Sequence, residues 1–359
     1  MKKLLYITTF INNSGGVAKL LSVKLSYLVQ HYDYEIYILN SNSPTSTMFY
    51  EFDERIKISS LKQSKNRVLN ILKYPGRIKK AIKEIGPDII VNCDNGLKGT
   101  ILHNIISTKS SLIYESHISK DFMVESFIDK LKSKLQPLLL SINLKKYSCI
   151  VAYDHAKGDF RSQNVKVLHN PLLIKEPESP SALENKIAIA VGRLAYQKGY
   201  DTMLQLWKDV IADHPDWKLH IYGEGDIQKY KGLVQELGLH DHVQFFEPRS
   251  DIKDVYRNAS MLLNTSRYEP FGLAIIEAMA YGLPVFAFKN TLGPSSYIVN
   301  NENGFLIEKG QIEDYANTVK NLIGNTMEMK RISVNARKGV KKFNLDAIMK
   351  EWHALFQSL

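Results

Sequence analysis

Two glutamates, Glu269 and Glu277, stand eight positions apart in RYEPFGLAIIEAMAYGLPV (267–285). The first sits beside a Pro-Phe-Gly turn and the second inside an Ala-rich helical pattern. The strand-like run MLLNTS comes before the turn, so Glu269 falls just ahead of a helix that begins near Gly272 and Leu273. The opening amides of such a helix lack intrahelical partners and carry partial positive charge. At about 1.5 Å of rise per residue, the two carboxylates lie on the order of 10 Å apart along the helix. Two cations, Arg193 and Lys198, flank the loop RLAYQKG (193–199) behind the apolar run IAIAVG. A guanidinium fork and an ammonium together suit a diphosphate. Farther upstream, Asn13-Ser14-Gly15-Gly16 opens into an amphipathic helix, where adjacent glycines allow close backbone approach and a helix N-terminus favours anions. Each feature has a plainer alternative: an exposed Glu277, a Glu269 that steadies the helix end, surface cations, a tight glycine turn.

Elements able to hold these groups recur along the chain. Apolar runs of strand length at 4–10, 34–39, 88–92, 111–116 and 149–153 alternate with helical patterns, and a second series follows at 187–192, 217–223, 243–247, 261–266 and 284–288. Continuous apolar strands separated by helices predict parallel sheets covered on both faces, an α/β doubly wound architecture. The proline-rich stretch NPLLIKEPESPSALENK divides the series. The expected domains are therefore 1–170 and 187–345, joined by a linker at 171–186 and facing each other across a cleft.

Composition narrows the class. The chain has 359 residues and only two cysteines, Cys93 and Cys149, which gives no disulfide framework and fits a reducing cytoplasm. MKKLLYITTF begins like a secretory leader, but Asn12-Asn13-Ser14 breaks the run early, so a first buried strand is expected. No apolar stretch approaches the roughly 20 residues of a spanning helix. The net charge of +10 is unevenly placed. Residues 1–170 hold 25 Lys+Arg against 14 Asp+Glu, leaving 22 against 23 for the remainder. Segment 62–83 carries eight basic residues and no acidic one. Such a half suits an anionic partner, with a solvated basic face as the alternative. No G-x-G-x-x-G fingerprint supports a nicotinamide cofactor, no Asp-x-Asp pair supports a catalytic metal, and no nucleic-acid module is present. Glu269 and Glu277 are spaced too widely for a retaining hydrolase, whose carboxyls lie about 5 Å apart.

The segment E269-P-F-G-L-A-I-I-E277, with GRLAYQKG upstream, resembles the E-x7-E signature of the retaining glycosyltransferases of family 4, which have the GT-B fold of two Rossmann-like domains. NSGG, YESH at 114–117, LHNP, IYGEG and TLGPSSYIVNNENGFLI extend the likeness along most of the chain. The resemblance implies that Glu269 meets hydroxyls of a donor sugar, that Phe271, Gly272 and Leu273 offer amides, and that Arg193 and Lys198 hold the diphosphate. It also implies Glu277 on the ribose, Gly15 and Gly16 lining the cleft, His117 beside the reacting sugar, and Arg249 and Ile252 near the base. The terminal helix, 346–359, resembles one that packs back on the first domain. The implied activity is metal-free transfer from a nucleotide-diphosphate sugar, UDP first and GDP-mannose second, to a glycan or polyprenyl-diphosphate-linked acceptor. No cofactor is implied. Peripheral contact with an anionic membrane, by way of 129–146, would follow from a lipid-linked acceptor. A sugar-nucleotide epimerase and a non-enzymatic binder of anionic polymers are the competing readings. One departure is Leu292-Gly293-Pro294-Ser295-Ser296, where surface-polysaccharide relatives commonly have Thr-Gly-Pro-Ser-Glu.

Overall fold

A computed structural model describes residues 1–41, 47–62, 67–117, 143–153, 164–289 and 293–359. Most of 129–146 therefore lies outside the described residues. The chain separates into two compact units, Met1–His169 with Leu345–Leu359, and Asn170–Asn344.

The first unit is built on a seven-stranded sheet in the order β3-β2-β1-β4-β5-β6-β7. The strands are β1 (Lys2–Thr8), β2 (Tyr34–Asn40), β3 (Lys57–Ser60), β4 (Ile89–Asn92), β5 (Ser111–Glu115), β6 (Cys149–Ala152) and β7 (Val165–Val167). Every pairing is parallel. Leu4 to Ile7 are inaccessible to solvent, as a central strand covered on both faces requires. The apolar start of the chain is thus a strand, shifted two residues from the expected 4–10 because Lys2 and Lys3 join its amino end.

The second unit carries a six-stranded parallel sheet, β10-β9-β8-β11-β12-β13. Its strands are β8 (Ile187–Val191), β9 (Lys218–Tyr222), β10 (Val243–Phe246), β11 (Met261–Asn264), β12 (Val285–Lys289) and β13 (Phe305–Glu308). The segment 170–186 packs on this unit: Leu172 donates its amide to Phe343 O at 2.8 Å, and Ser181 donates its own to Tyr281 O at 2.9 Å. The terminal helix Leu345–Ser358 belongs to the first unit, where Tyr34 and His353 share a hydrogen bond of 2.8 Å.

In each sheet the chain winds outward from one strand and then returns to wind the other way. The reversal lies between β1 and β4 in the first unit and between β8 and β11 in the second. Loops diverge at such a point and leave a crevice at the carboxyl ends of the strands. Gly15 and Gly16 follow β1, Arg193 and Lys198 follow β8, and Glu269 follows β11.

Candidate active site

The loops after β8 and β11 are sewn together by backbone bonds. Arg267 donates its amide to Gln197 O at 2.8 Å, and the Thr265 hydroxyl donates to Gly199 O at 2.9 Å. Gln197 reaches Tyr268 O at 3.1 Å, and Arg267 pairs with Asp201 at 2.6 Å. Gly199 turns through the left-handed region at φ +66°, and a Cβ there would run into the Thr265 carbonyl. This stitching presents Lys198 to Glu269. The Nζ–Oε2 distance is 2.5 Å, and the Ser266 hydroxyl donates to the same oxygen at 3.3 Å. Glu269 is buried, and its carbonyl accepts from Gly293 N at 3.0 Å.

Gly272 caps the Leu273–Ala280 helix at φ +86°. A Cβ at this position would lie 2.8 Å from Ile275 Cδ1 and 2.9 Å from the Tyr297 hydroxyl, so glycine is required for both conformation and space. The amides of Ile275 and Ile276 both turn back to Gly272 O, at 3.0 and 3.3 Å. Leu273 and Ala274 supply the opening amides of the helix. Phe271 is buried against Phe343 and Tyr297, and the Tyr297 hydroxyl donates to Phe271 O at 2.5 Å. One turn farther along, Glu277 is buried and accepts from the Tyr256 hydroxyl at 3.0 Å. That burial removes the reading of Glu277 as an exposed helix residue.

The first unit has a charged cluster of its own. Glu115 at the end of β5 receives the Lys24 ammonium on both carboxylate oxygens at 2.8 Å, and both side chains are buried. Lys24 also lies 3.2 Å from the centre of the Trp352 ring in the terminal helix. The Cys93 thiol donates to Glu115 Oε2 at 3.4 Å, and His117 Nε2 is 3.8 Å from Oε1. Burial raises the Glu115 carboxyl pKa, but Lys24, His117 and Cys93 more than offset it, so the carboxyl stays below its ordinary value. Cys93, Glu115 and His117 bring ligand atoms within 4.8 Å of one another. They do not fit a metal. Lys24 already neutralises the carboxylate, and burial holds the Cys93 thiol well above its ordinary pKa and therefore protonated.

Residues 174–339, nearly all of the second unit, match the family model "Glycosyl transferases group 1". The second unit is thus similar to the group 1 glycosyl transferases, and relatives aligned along the whole chain are named glycosyltransferases. Across its length the transferase is 26% identical over 363 residues to an uncharacterized glycosyltransferase of Haemophilus influenzae, covering 99% of this chain and 100% of the relative. It is 28% identical over 364 residues to the amylovoran biosynthesis glycosyltransferase AmsD of Erwinia amylovora, covering 98% and 99%. The crystal structure of a mutant of Staphylococcus aureus TarM, in complex with Fondaparinux, alpha-GlcNAc-glycerol and UDP, superposes with a TM-score of 0.81. It shares 17% identity and covers 99% of this chain and 100% of that one. The fold is accordingly GT-B.

The remaining expected residues of the transferase are less closely joined. Arg193 is exposed and has no ion-pair partner among the described residues. Its neighbour Leu194 bridges to Gly225, which aligns the loops after β8 and β9. Arg249 and Ile252 separate: Arg249 is exposed and acts electrostatically on Tyr222, whereas Ile252 is buried and caps a short helix that carries Tyr256. Gly15 caps the Gly16–His31 helix, its amide tied to Asn13 Oδ1 at 2.9 Å. At the departure from the common pattern, the exposed Ser296 donates its hydroxyl to Gly293 O at 2.7 Å, closing the turn whose Gly293 amide donates to Glu269 O.

Three partners escaped the sequence reading: Tyr256, Lys24 and Glu115. The motif YESH exposes Glu115 as a candidate, but nothing local to Lys24 or Tyr256 marks them.

His117 gives the transferase a pH signature. Its amide donates to Asn95 Oδ1 at 2.6 Å. Burial lowers its pKa from the ordinary 6.5, Glu115 opposes that shift, and Lys24 adds to it. The unfolded chain takes up a proton near pH 6.5, and the native state does so only at lower pH. The neutral imidazole's contribution is thus complete above 6.5 and is lost as pH falls through the native value. Urea midpoints are expected to drop between pH 7 and 5.5. His117→Gln should flatten that slope by up to about 1.4 kcal/mol per pH unit, one proton's worth. His103, also lowered by burial, accounts for part of what remains. An unchanged slope in His117→Gln would show that this ring is not held neutral.

Proposed function

We propose that the enzyme moves a hexose or N-acetylhexosamine from a UDP-sugar to a lipid-linked glycan acceptor in bacterial surface polysaccharide synthesis, with retention and without a metal. One observation carries this reading. At the reversal point of the second sheet, a cation from the β8 loop and a carboxylate from the β11 loop meet beside a helix N-terminus. AmsD is named for amylovoran biosynthesis, and the TarM complex contains UDP, which supports a biosynthetic glycosyl transfer and the choice of nucleotide.

The difficult step is departure of the diphosphate from the anomeric carbon. As the C1–O bond breaks, negative charge grows on the leaving phosphate. Lys198, Arg193 and the amides of Leu273 and Ala274 are the groups suited to stabilise it. The acceptor oxygen forms its bond to C1 on the same face, and its proton passes to the departing phosphate oxygen. Glu269 accepts from the sugar hydroxyls and Glu277 from the ribose, while Lys198 exchanges its carboxylate partner for phosphate. The second unit takes the donor, and the basic first unit takes the diphosphate-linked acceptor at an anionic membrane surface. Among the described residues no helix is long and apolar enough to cross a membrane, so such contact would be peripheral.

The test is nucleotide release from UDP-, GDP- and ADP-sugars with EDTA present, with Glu277→Ala run alongside. UDP released from one donor, at least tenfold slower in the variant, is the expected result. Release only after a divalent metal is restored would overturn metal independence, and a GDP-sugar as the sole active donor would overturn the choice of nucleotide.

A further inference from the structure

The two faces of the Arg67–Ile85 helix in the first unit differ sharply. Tyr74, Ile78 and Ile82 recur every four residues and pack into the apolar cluster with Leu5, Ile7 and Leu39. At helical spacing the opposite face takes Leu69, Leu72, Lys73, Lys80 and Lys83. Leu69 is 39% exposed, Ile71 61% and Leu72 70%. Its opening turns thus show aliphatic side chains to solvent, and the later turns show lysines. Glu84 is the one acidic residue of this helix, and it lies 3.7 Å from Lys80.

Two further observations bear on what this face meets. Because β3 and β4 run parallel, the helix between them starts at the carboxyl edge of the sheet. That is the edge where Gly15 and His117 lie within the same unit. At its other end, Lys79 and Lys83 join Lys2 and Lys109 in lining a cavity of about 770 Å³ that also holds Thr108 and Ser110, with Asp88 as the opposing charge.

A second copy of this chain is a poor occupant, since like faces would set lysines against lysines. An anionic bilayer satisfies both halves of the stripe. Aliphatic side chains enter the acyl boundary, and lysine stems lie along it with their ammonium groups among the phosphates. The cavity leaves room for a headgroup phosphate next to the stripe. We propose that this helix is the face by which the first unit docks on an anionic membrane, with Leu69 and Leu72 inserted and Lys79, Lys80 and Lys83 on the headgroups. The inference rests on the lipid-linked acceptor reading and names the surface that reading needs.

The experiment is co-sedimentation of the full chain with vesicles of phosphatidylcholine alone or mixed with phosphatidylglycerol, at about 0.1 M salt. Two variants accompany it, Leu69→Ser/Leu72→Ser and Lys79→Ser/Lys80→Ser/Lys83→Ser. All five side chains are exposed, and thermal melting checks that the fold is kept. The wild type is expected to prefer the anionic vesicles. The aliphatic pair should lose about tenfold in affinity, and the lysine triple about 100-fold, at roughly 1 kcal/mol per lysine. UDP release from the donor panel should stay at the wild-type rate in both variants. Equal wild-type binding to neutral and anionic vesicles, or wild-type affinity in both variants, would overturn the proposal. Vesicle binding as expected in a protein that releases no nucleotide would support the surface while removing the transferase reading.

Discussion

Lys198→Met is expected to lower nucleotide release by about 100- to 1000-fold, the range seen when one preorganised donor to a developing anion is removed. The reason lies in the pairing. Lys198 is four-fifths buried and 2.5 Å from a carboxylate that is itself buried, so its ammonium is held in place before any donor arrives. On the proposed reading, such a charge in a low-dielectric crevice shifts only from the carboxylate to the leaving diphosphate and stabilises it with little reorganisation. Methionine keeps the length of the side chain but leaves Glu269 with the Ser266 hydroxyl and no cation. A second loss, of roughly 1–3 kcal/mol in stability, follows from that uncompensated carboxylate, discounted for partial exposure. Glu269→Gln separates the two effects. It relieves the pairing, frees Lys198 and keeps the shape of the side chain, yet weakens acceptance from the sugar hydroxyls. The single variants should therefore be non-additive in release and in melting temperature, since each leaves the other group without its partner. Steady-state release and melting of the four proteins of the cycle decide the matter. Release within fivefold of wild type in Lys198→Met would remove this lysine from the diphosphate.

The parts of this picture legible in sequence share a property: their information is local. All ten strands read from apolar runs are present, nine of them central parallel strands that must be apolar on both faces, and the edge strand β10 by its run VQFF. β3 and β7 escape the same reading because KISS and VKV are edge strands with exposed or half-buried positions. β13 (FLIE) begins at the end of TLGPSSYIVNNENGFLI, where the polar NNENG before it and its own Glu308 leave only three apolar residues in a row. Lys198, Glu269 and Glu277 could be picked out because turn and helix signals surround them. Their partners could not. Tyr256 precedes Glu277 by 21 positions, and Lys24 precedes Glu115 by 91. Lys24 in LLSVKLSYL reads as the polar stripe of an amphipathic helix, and only the packing of the terminal helix, through Trp352, closes it off from water. Arg249 and Ile252 show the converse case, in which closeness in sequence hides a difference in surroundings. Neighbours in sequence were read together, and a helix cap sends one into the core and leaves the other in solvent.

Lys24→Met should destabilise the first unit by about 3–5 kcal/mol, the cost of leaving a buried charge without its partner. Glu115 would then face the Cys93 thiol and a neutral His117, neither of which replaces two ammonium contacts at 2.8 Å. Replacing both members, as Lys24→Met/Glu115→Leu, should recover most of that loss, because a buried pair exchanged for apolar side chains of similar volume is often neutral or stabilising. Recovery of stability need not bring recovery of transfer. Glu115 lies 3.8 Å from His117 Nε2, and its carbonyl accepts from the Asn95 side chain at 2.9 Å, which in turn holds the His117 amide. If the carboxylate orients the imidazole, the double variant will fold with a wild-type urea midpoint and still release nucleotide more slowly. Its pH–stability slope will also have moved, because the charges acting on His117 are gone. A double variant restored in midpoint, slope and activity together would reduce the pair to core filling. A Lys24→Met variant within about 1 kcal/mol of wild type would show that the Glu115 carboxylate finds water or a proton once the ammonium is gone.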